Sequence, residues 1–131
     1  MSRLSESEKR QFVRVPVNVP VDYRFVRQDS DTPISVAMLN GHTINIGAGG
    51  LLLVGQIPDR DLIADLLMRK VVVALSIRLP RQQPIQALGR VAWVEAIDQT
   101  QMTCSIGLTF KEITAQSQDD LFRFIINAVS G

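Results

Sequence analysis

Met102-Thr103-Cys104-Ser105-Ile106-Gly107-Leu108-Thr109-Phe110 sets apolar side chains at 102, 104, 106, 108 and 110, with small or polar ones between them. Successive side chains of an extended chain point to opposite faces, so this period of two predicts a β-strand with one face in a core. The same period recurs upstream. Residues 71–79 alternate through Val71, Val73, Leu75, Ile77 and Leu79, and residues 85–96 form a further strand carrying Gly89, Val91 and Trp93. The turn Pro80-Arg81-Gln82-Gln83-Pro84 separates these two runs. Leu51-Leu52-Leu53-Val54 is a short apolar strand, ended by Pro58 and Asp59. Residues 36–45 predict another, with Asn40-Gly41 as a tight turn or bulge inside it.

Residues 15–25 read as one long half-buried strand, in which Val15, Val17, Val19, Val21, Tyr23 and Phe25 alternate with Pro16, Asn18, Pro20, Asp22 and Arg24. Pro16 and Pro20 share a face and cannot donate to a ladder, which makes that part an edge or an entry segment. Two stretches break the strand pattern. Leu62, Ile63, Leu66 and Leu67 recur at helical spacing, predicting a helical turn that ends near Lys70. At the C-terminal end, Ser117 is the expected N-cap, Asp119 and Asp120 suit a first turn, and Leu121, Phe122, Phe124, Ile125, Ile126 and Val129 supply an apolar face. Evenly spaced strands followed by one helix predict a mainly β fold, a small antiparallel barrel or sandwich of roughly six strands with the helix over an open end or edge.

The chain has 131 residues, 46% hydrophobic and 21% charged, which suits one folded domain with its own core. Residues 1–14 are polar and charged and are expected to form a mobile basic arm in the free protein, leaving 15–131 as the domain. Formal net charge is +1, so no global field draws the protein to DNA, RNA or an acidic membrane. Any anion site has to be local. A lone cysteine, Cys104, excludes an internal disulfide, and its alternating neighbours make it a buried apolar residue. With no apolar run of signal-peptide or membrane-span length, the sequence predicts a soluble cytoplasmic protein without membrane insertion.

Enzyme chemistry has little footing. His42 is the single histidine, set beside Gly41 as if in a turn, with no metal-ligand spacing around it. Asp59, Asp61 and Asp65 read as a solvated helix face, and no nucleophile elbow is present. Two other signals remain. Arg10-Gln11-Phe12-Val13-Arg14 brackets a spacer with two guanidinium forks, which suit phosphate and the acceptor edge of guanine. Asn45-Ile46-Gly47-Ala48-Gly49-Gly50 is a glycine-rich loop that offers a side-chain amide and open backbone N–H groups. It is no P-loop, since no Lys-Ser/Thr follows and the next element is a strand.

Taken in order, Arg-x-x-x-Arg, a strand, and Asn-x-x-x-x-Gly before apolar residues resemble the PilZ domain, the bacterial receptor module for cyclic di-GMP. Gly89-Arg90-Val91-Ala92-Trp93 resembles its Gly-x-Val-x-Trp strand, and Ser105-Ile106-Gly107-Leu108-Thr109-Phe110 its Ile-Gly-Val-x-Phe strand. The resemblance runs from about Lys9 to the terminal helix. It implies a PilZ-like β-barrel, no catalysis, no metal or cofactor, and cyclic di-GMP as the ligand. By the same resemblance Arg10 and Arg14 grip guanine edges and phosphates, Asn45 hydrogen-bonds a guanine, and Gly50 permits the turn. Lys9 either adds a phosphate contact or is solvated. Trp93 either faces the core or borders the ligand.

One position departs from the family pattern: its serine is Gly47 here. A missing hydroxyl costs about 0.5–1.5 kcal/mol when its partner is neutral. Gly47 therefore implies weakened rather than abolished binding, with a backbone N–H left to reach the ligand. The resemblance implies an effector that passes a conformational change to a partner protein in motility, biofilm or virulence control. Its alternative is a PilZ-like adaptor in pilus or flagellar assembly that has lost or weakened nucleotide binding.

Overall fold

The computed structural model describes residues 13–28 and 38–130. Among the described residues, seven strands and two helices follow one another: β1 (Arg14–Pro16), β2 (Pro20–Arg27), β3 (Leu39–Gly47), β4 (Gly50–Gln56), α1 (Asp61–Leu67), β5 (Val71–Ile77), β6 (Ile85–Asp98), β7 (Thr103–Ile113) and α2 (Ala115–Ser130). All strand pairs are antiparallel. Strands pair in the order β3-β2-β5-β6-β7-β4, and β4 returns to β3, so six strands close a barrel and β1 lies outside on β3. Closure leaves no open sheet edge inside the six.

The alternation seen in the sequence is the inside-outside alternation of the barrel. Cys104, Ile106 and Leu108 of β7, Val73, Leu75 and Ile77 of β5, and Val21, Tyr23 and Phe25 of β2 are buried in one core. Tyr23 and Phe25 meet edge to face, with ring centroids 5.8 Å apart. The Tyr23 hydroxyl donates to the Gln56 carbonyl at 2.6 Å, and burial pushes its pKa up to about 12. Burial likewise raises the Cys104 thiol, an inert apolar residue. The two helices plug the barrel: Leu62 and Leu66 of α1, and Leu121 and Ile125 of α2, enter the same core.

The long strand expected over 15–25 is two strands. β1 and β2 lie along the same edge of β3, since β4 occupies the other edge at His42, Asn45 and Ile46. Residues 17–19 interrupt them. The register there runs from Pro16↔Asn45 to Pro20↔His42, so the β1–β2 side holds one residue more than β3. Fully buried Thr43 bridges the irregularity: its hydroxyl donates to the Val17 carbonyl at 2.5 Å and accepts the Val19 N–H at 3.1 Å. A side chain thereby replaces ladder bonds that the extra residue displaces.

Three further expectations are corrected. Asn40-Gly41 is continuous strand, and His42 lies within β3 rather than in a turn; the β3 irregularity against β4 falls between Thr43 and Asn45, leaving Ile44 exposed. Ser117 is not the N-cap of α2. Thr114 is, because its Oγ1 accepts the Ser117 N–H at 3.1 Å, which moves Asp119 and Asp120 out of the first turn. Ser117 instead turns its buried hydroxyl to accept the Gln86 N–H at 2.9 Å, tying α2 to the start of β6.

Candidate functional site

Pairing of β1 with β3 brings the two sequence signals together. The register Arg14↔Gly47, Val15↔Ile46, Pro16↔Asn45 sets Arg14 opposite the first glycine of the loop and two pairs from Asn45. Ile46 is buried, so its neighbours Asn45 and Gly47 face outward, and Arg14 with them. Across that face Arg14 Nη1 donates to Asn45 Oδ1 at 3.3 Å, joining residues 31 positions apart. The contact is exposed, and among the described residues no other side-chain hydrogen bond engages the guanidinium fork or the Asn45 amide N–H groups, which suit acceptors of a ligand. Arg14 belongs to β1 rather than to an arm, so this cation is held by the barrel. Arg10 and Lys9, the other cations expected at the site, lie outside the described residues.

The two glycines serve close approach. None of the described glycines has positive φ, so Gly50 is not needed for a left-handed turn. A Cβ on Gly50 would lie 2.0 Å from the Leu108 carbonyl oxygen, which makes Gly50 the place where the β3–β4 hairpin presses onto β7. The adjoining Gly49 carbonyl accepts the Phe110 N–H at 2.8 Å and locks the same junction. At Gly47 a Cβ would lie 2.7 Å from the Val13 carbonyl oxygen and 3.1 Å from Arg14 Cδ. β1 thus occupies the space that a serine side chain would enter.

Trp93 is outside the core. Alternation from buried Val91 would turn it inward, but β6 carries one extra residue between Val91↔Leu108 and Trp93↔Gly107. That bulge reverses the parity and leaves Trp93 44% exposed. The indole lies against Gly107, where an added Cβ would meet its Nε1 at 2.3 Å. Gly107 pairs with Leu52, and Leu52 with Asn45, so Trp93 stands in the transverse row of the barrel that contains Asn45. Arg14, Asn45 and Gly47 are therefore one cluster, with Trp93 on its flank. Thr43, which pins β1 through residues 17 and 19, was missed by sequence reasoning; its signal was a hydroxyl at a core-facing strand position.

The surface combines a guanidinium fork, a carboxamide and an indole around glycine backbone and half-buried Leu52. It can receive a planar base with acceptor edges and a phosphate. Among the described residues no group of three or more His, Cys, Asp or Glu side chains is placed to hold a metal ion. The tip of the same hairpin touches the terminal helix, where Ala48 lines a small cavity of about 20 Å3 with Phe122, Ile125 and Ile126.

A closed six-stranded antiparallel barrel with an outer N-terminal strand and a C-terminal helix is a recognisable class of small domain. The family model for the PilZ domain matches residues 8–127, and the chain belongs to that family. Three solved structures share the fold. The Bacillus subtilis inhibitor of motility (MotI/DgrA) is 22% identical, with a TM-score of 0.65 over 97% of this chain and 53% of that one. The chain therefore spans about half the length of the Bacillus protein. The PilZ domain of CeSA from a cellulose-synthesizing bacterium is 15% identical, with a TM-score of 0.54 over 88% of this chain and 96% of that one. The PilZ domain of YcgR from Escherichia coli, solved with c-di-GMP, is 9% identical, with a TM-score of 0.56 over 93% and 92%. No curated protein sequence matches the chain.

Proposed function

We propose that this protein is a non-enzymatic receptor for cyclic di-GMP, acting in the cytoplasm on a downstream protein. The observation that carries this reading is the Arg14–Asn45 contact on the outer face of a PilZ barrel, which unites the family's two motif signals in one place. Arg10 and Arg14 grip guanine edges and phosphates, and each bidentate Arg–guanine pair is worth roughly 1–3 kcal/mol. Asn45 bonds a guanine, Gly47 offers its backbone N–H, Gly50 holds the hairpin against β7, and Trp93 gives a stacking face. Lys9 adds charge beside Arg10. Capture of the ligand shifts the β3–β4 hairpin, and its tip at Ala48 passes the shift to Phe122 and Ile126 of α2, where Ile126 and Val129 are exposed for a partner controlling motility or biofilm formation.

Calorimetric titration with cyclic di-GMP tests the reading. A saturable heat is expected, lost in Arg14→Ala while the fold is retained. Absence of heat at high micromolar ligand, from a folded protein, sinks it. One observation favours a second reading, a PilZ adaptor without nucleotide binding: Gly47 lacks the family's hydroxyl and is crowded by Val13. That negative titration is the result the adaptor requires.

A further inference from the structure

We infer that Arg90 is a third arginine of the ligand surface, holding the part of a bound nucleotide that lies over β7. The inference rests on the receptor reading above and extends it to a strand for which the Arg-x-x-x-Arg and loop signals assign nothing.

Direction comes first. Gly89 and Val91 are buried, and a Cβ on Gly89 would meet Leu75 and Leu108 of the core, so Arg90 between them points outward. Its place along the barrel follows from register. Arg90 pairs with Thr109, and Thr109 with Gly50. Gly50 and Gly47 flank the turn of the β3–β4 hairpin, and Gly47 pairs with Arg14. One transverse line therefore runs Arg90, Thr109, Gly50, Gly47, Arg14. Nothing larger than a threonine stands between the two arginines. In the next row Trp93 lies flat on Gly107, on the side of Asn45. The two rows form a floor over β7 and the hairpin, with half-buried Leu52 as its apolar element between Gly107 and Asn45, walled by Arg90 and Trp93 on one side and by Arg14 and Asn45 on the other.

The state of Arg90 is the second observation. Its Nε is shut off from water and has no hydrogen-bond partner, and among the described residues no carboxylate pairs with it. A desolvated cationic donor without an acceptor is a standing cost to the free protein. The outer nitrogens of its fork, which no described carboxylate engages, remain for a phosphate or the acceptor edge of a guanine, and a guanidinium fork fits either. Thr109 beside it supplies a hydroxyl that accepts or donates as the ligand requires.

Titration of wild type, Arg90→Gln, Arg90→Lys and Arg60→Gln with cyclic di-GMP, alongside thermal unfolding of the free proteins, tests the inference. Arg90→Gln is expected to bind tenfold or more weakly and to unfold no earlier than wild type. Arg90→Lys keeps the charge without the fork and is expected between the two. Arg60→Gln removes the same charge from the exposed start of α1 and is expected to bind as wild type does. Wild-type affinity in Arg90→Gln, or an equal loss in Arg60→Gln, overturns the role of Arg90 alone. If Arg90→Gln does not fold, Arg90→Lys decides, and unchanged affinity in it overturns the fork. A wild type that does not bind overturns the receptor reading and this inference with it.

Discussion

The carbonyl oxygen of Val13 stands 2.7 Å from the point where a Cβ on Gly47 would lie. The outer strand is thus seated on the loop through the absence of a side chain, and the family's serine has no room unless β1 yields. Overpacking of this kind costs about 1–3 kcal/mol. Gly47→Ser is therefore expected to unfold at lower denaturant concentration than wild type. The crowding is present in free and bound protein alike and cancels from the affinity, whereas a new hydroxyl bond to the ligand does not. Calorimetry should accordingly show tighter binding, by up to about tenfold for a gain near 1.4 kcal/mol. Equal stability of the two proteins would mean that β1 moves aside freely.

Thr43 controls the same strand from beneath. Thr43→Val removes the acceptor for Val19 N–H and the donor for Val17 C=O at a fully buried position. Each unmet group costs about 1–3 kcal/mol, so a loss near 2–3 kcal/mol in urea denaturation is expected. Arg14 rides on the strand that is released, so ligand affinity falls too, although Thr43 touches no ligand. Thr43→Ser keeps the hydroxyl and should recover most of both. A Thr43→Val protein with full stability would show that residues 17–19 find other partners.

The strands that sequence reasoning found best are those whose register is regular. β7 keeps its inside-outside alternation from Thr103 to Leu108 against β4, and the pattern of the residues is the pattern of the fold. Errors collect where an extra residue enters a ladder. The irregularity at residues 17–19 splits one expected strand in two, and the bulge before Trp93 turns an inward tryptophan outward. Alternation read from the residue types carries no record of a parity change, because Val91 and Trp93 are both acceptable core residues. Capping failed for a related reason. Thr114 and Ser117 are equally good caps locally, and the Gln86 N–H, far away in sequence, claims the serine hydroxyl. At the site, Arg14, Asn45 and Gly47 were legible as a set. The steric roles of Gly47 and Gly50 were not, since each depends on a carbonyl from another strand.

Gly50 separates scaffold from recognition. An added methyl meets the Leu108 carbonyl oxygen at 2.0 Å, and the atoms nearest to it are all main chain of β7, which cannot swing aside as a side chain would. Gly50→Ala is expected to lose about 3 kcal/mol, at the upper end of overpacking costs, with weakened near-ultraviolet dichroism. Any loss of ligand binding should then track the unfolded fraction. Normal stability with binding abolished would assign Gly50 to the ligand instead of to the hairpin junction.

Gly107→Ala makes the opposite test, because the atoms in its way belong to a side chain that can move. The added Cβ would meet Trp93 Nε1 at 2.3 Å, yet the indole is 44% exposed and can swing off the strand. Stability should change by no more than about 0.5 kcal/mol, as for a surface substitution. Trp93 is the one tryptophan of the chain, so its emission reports this seat alone. The emission maximum is expected to shift to the red as the ring leaves Gly107 for water. Aromatic stacking on a base is worth about 1–3 kcal/mol, so displacing the ring from the ligand floor should weaken cyclic di-GMP binding by about fivefold or more. A red shift with unchanged affinity would remove Trp93 from the ligand surface, and an unshifted maximum would mean that the ring finds room beside the added methyl.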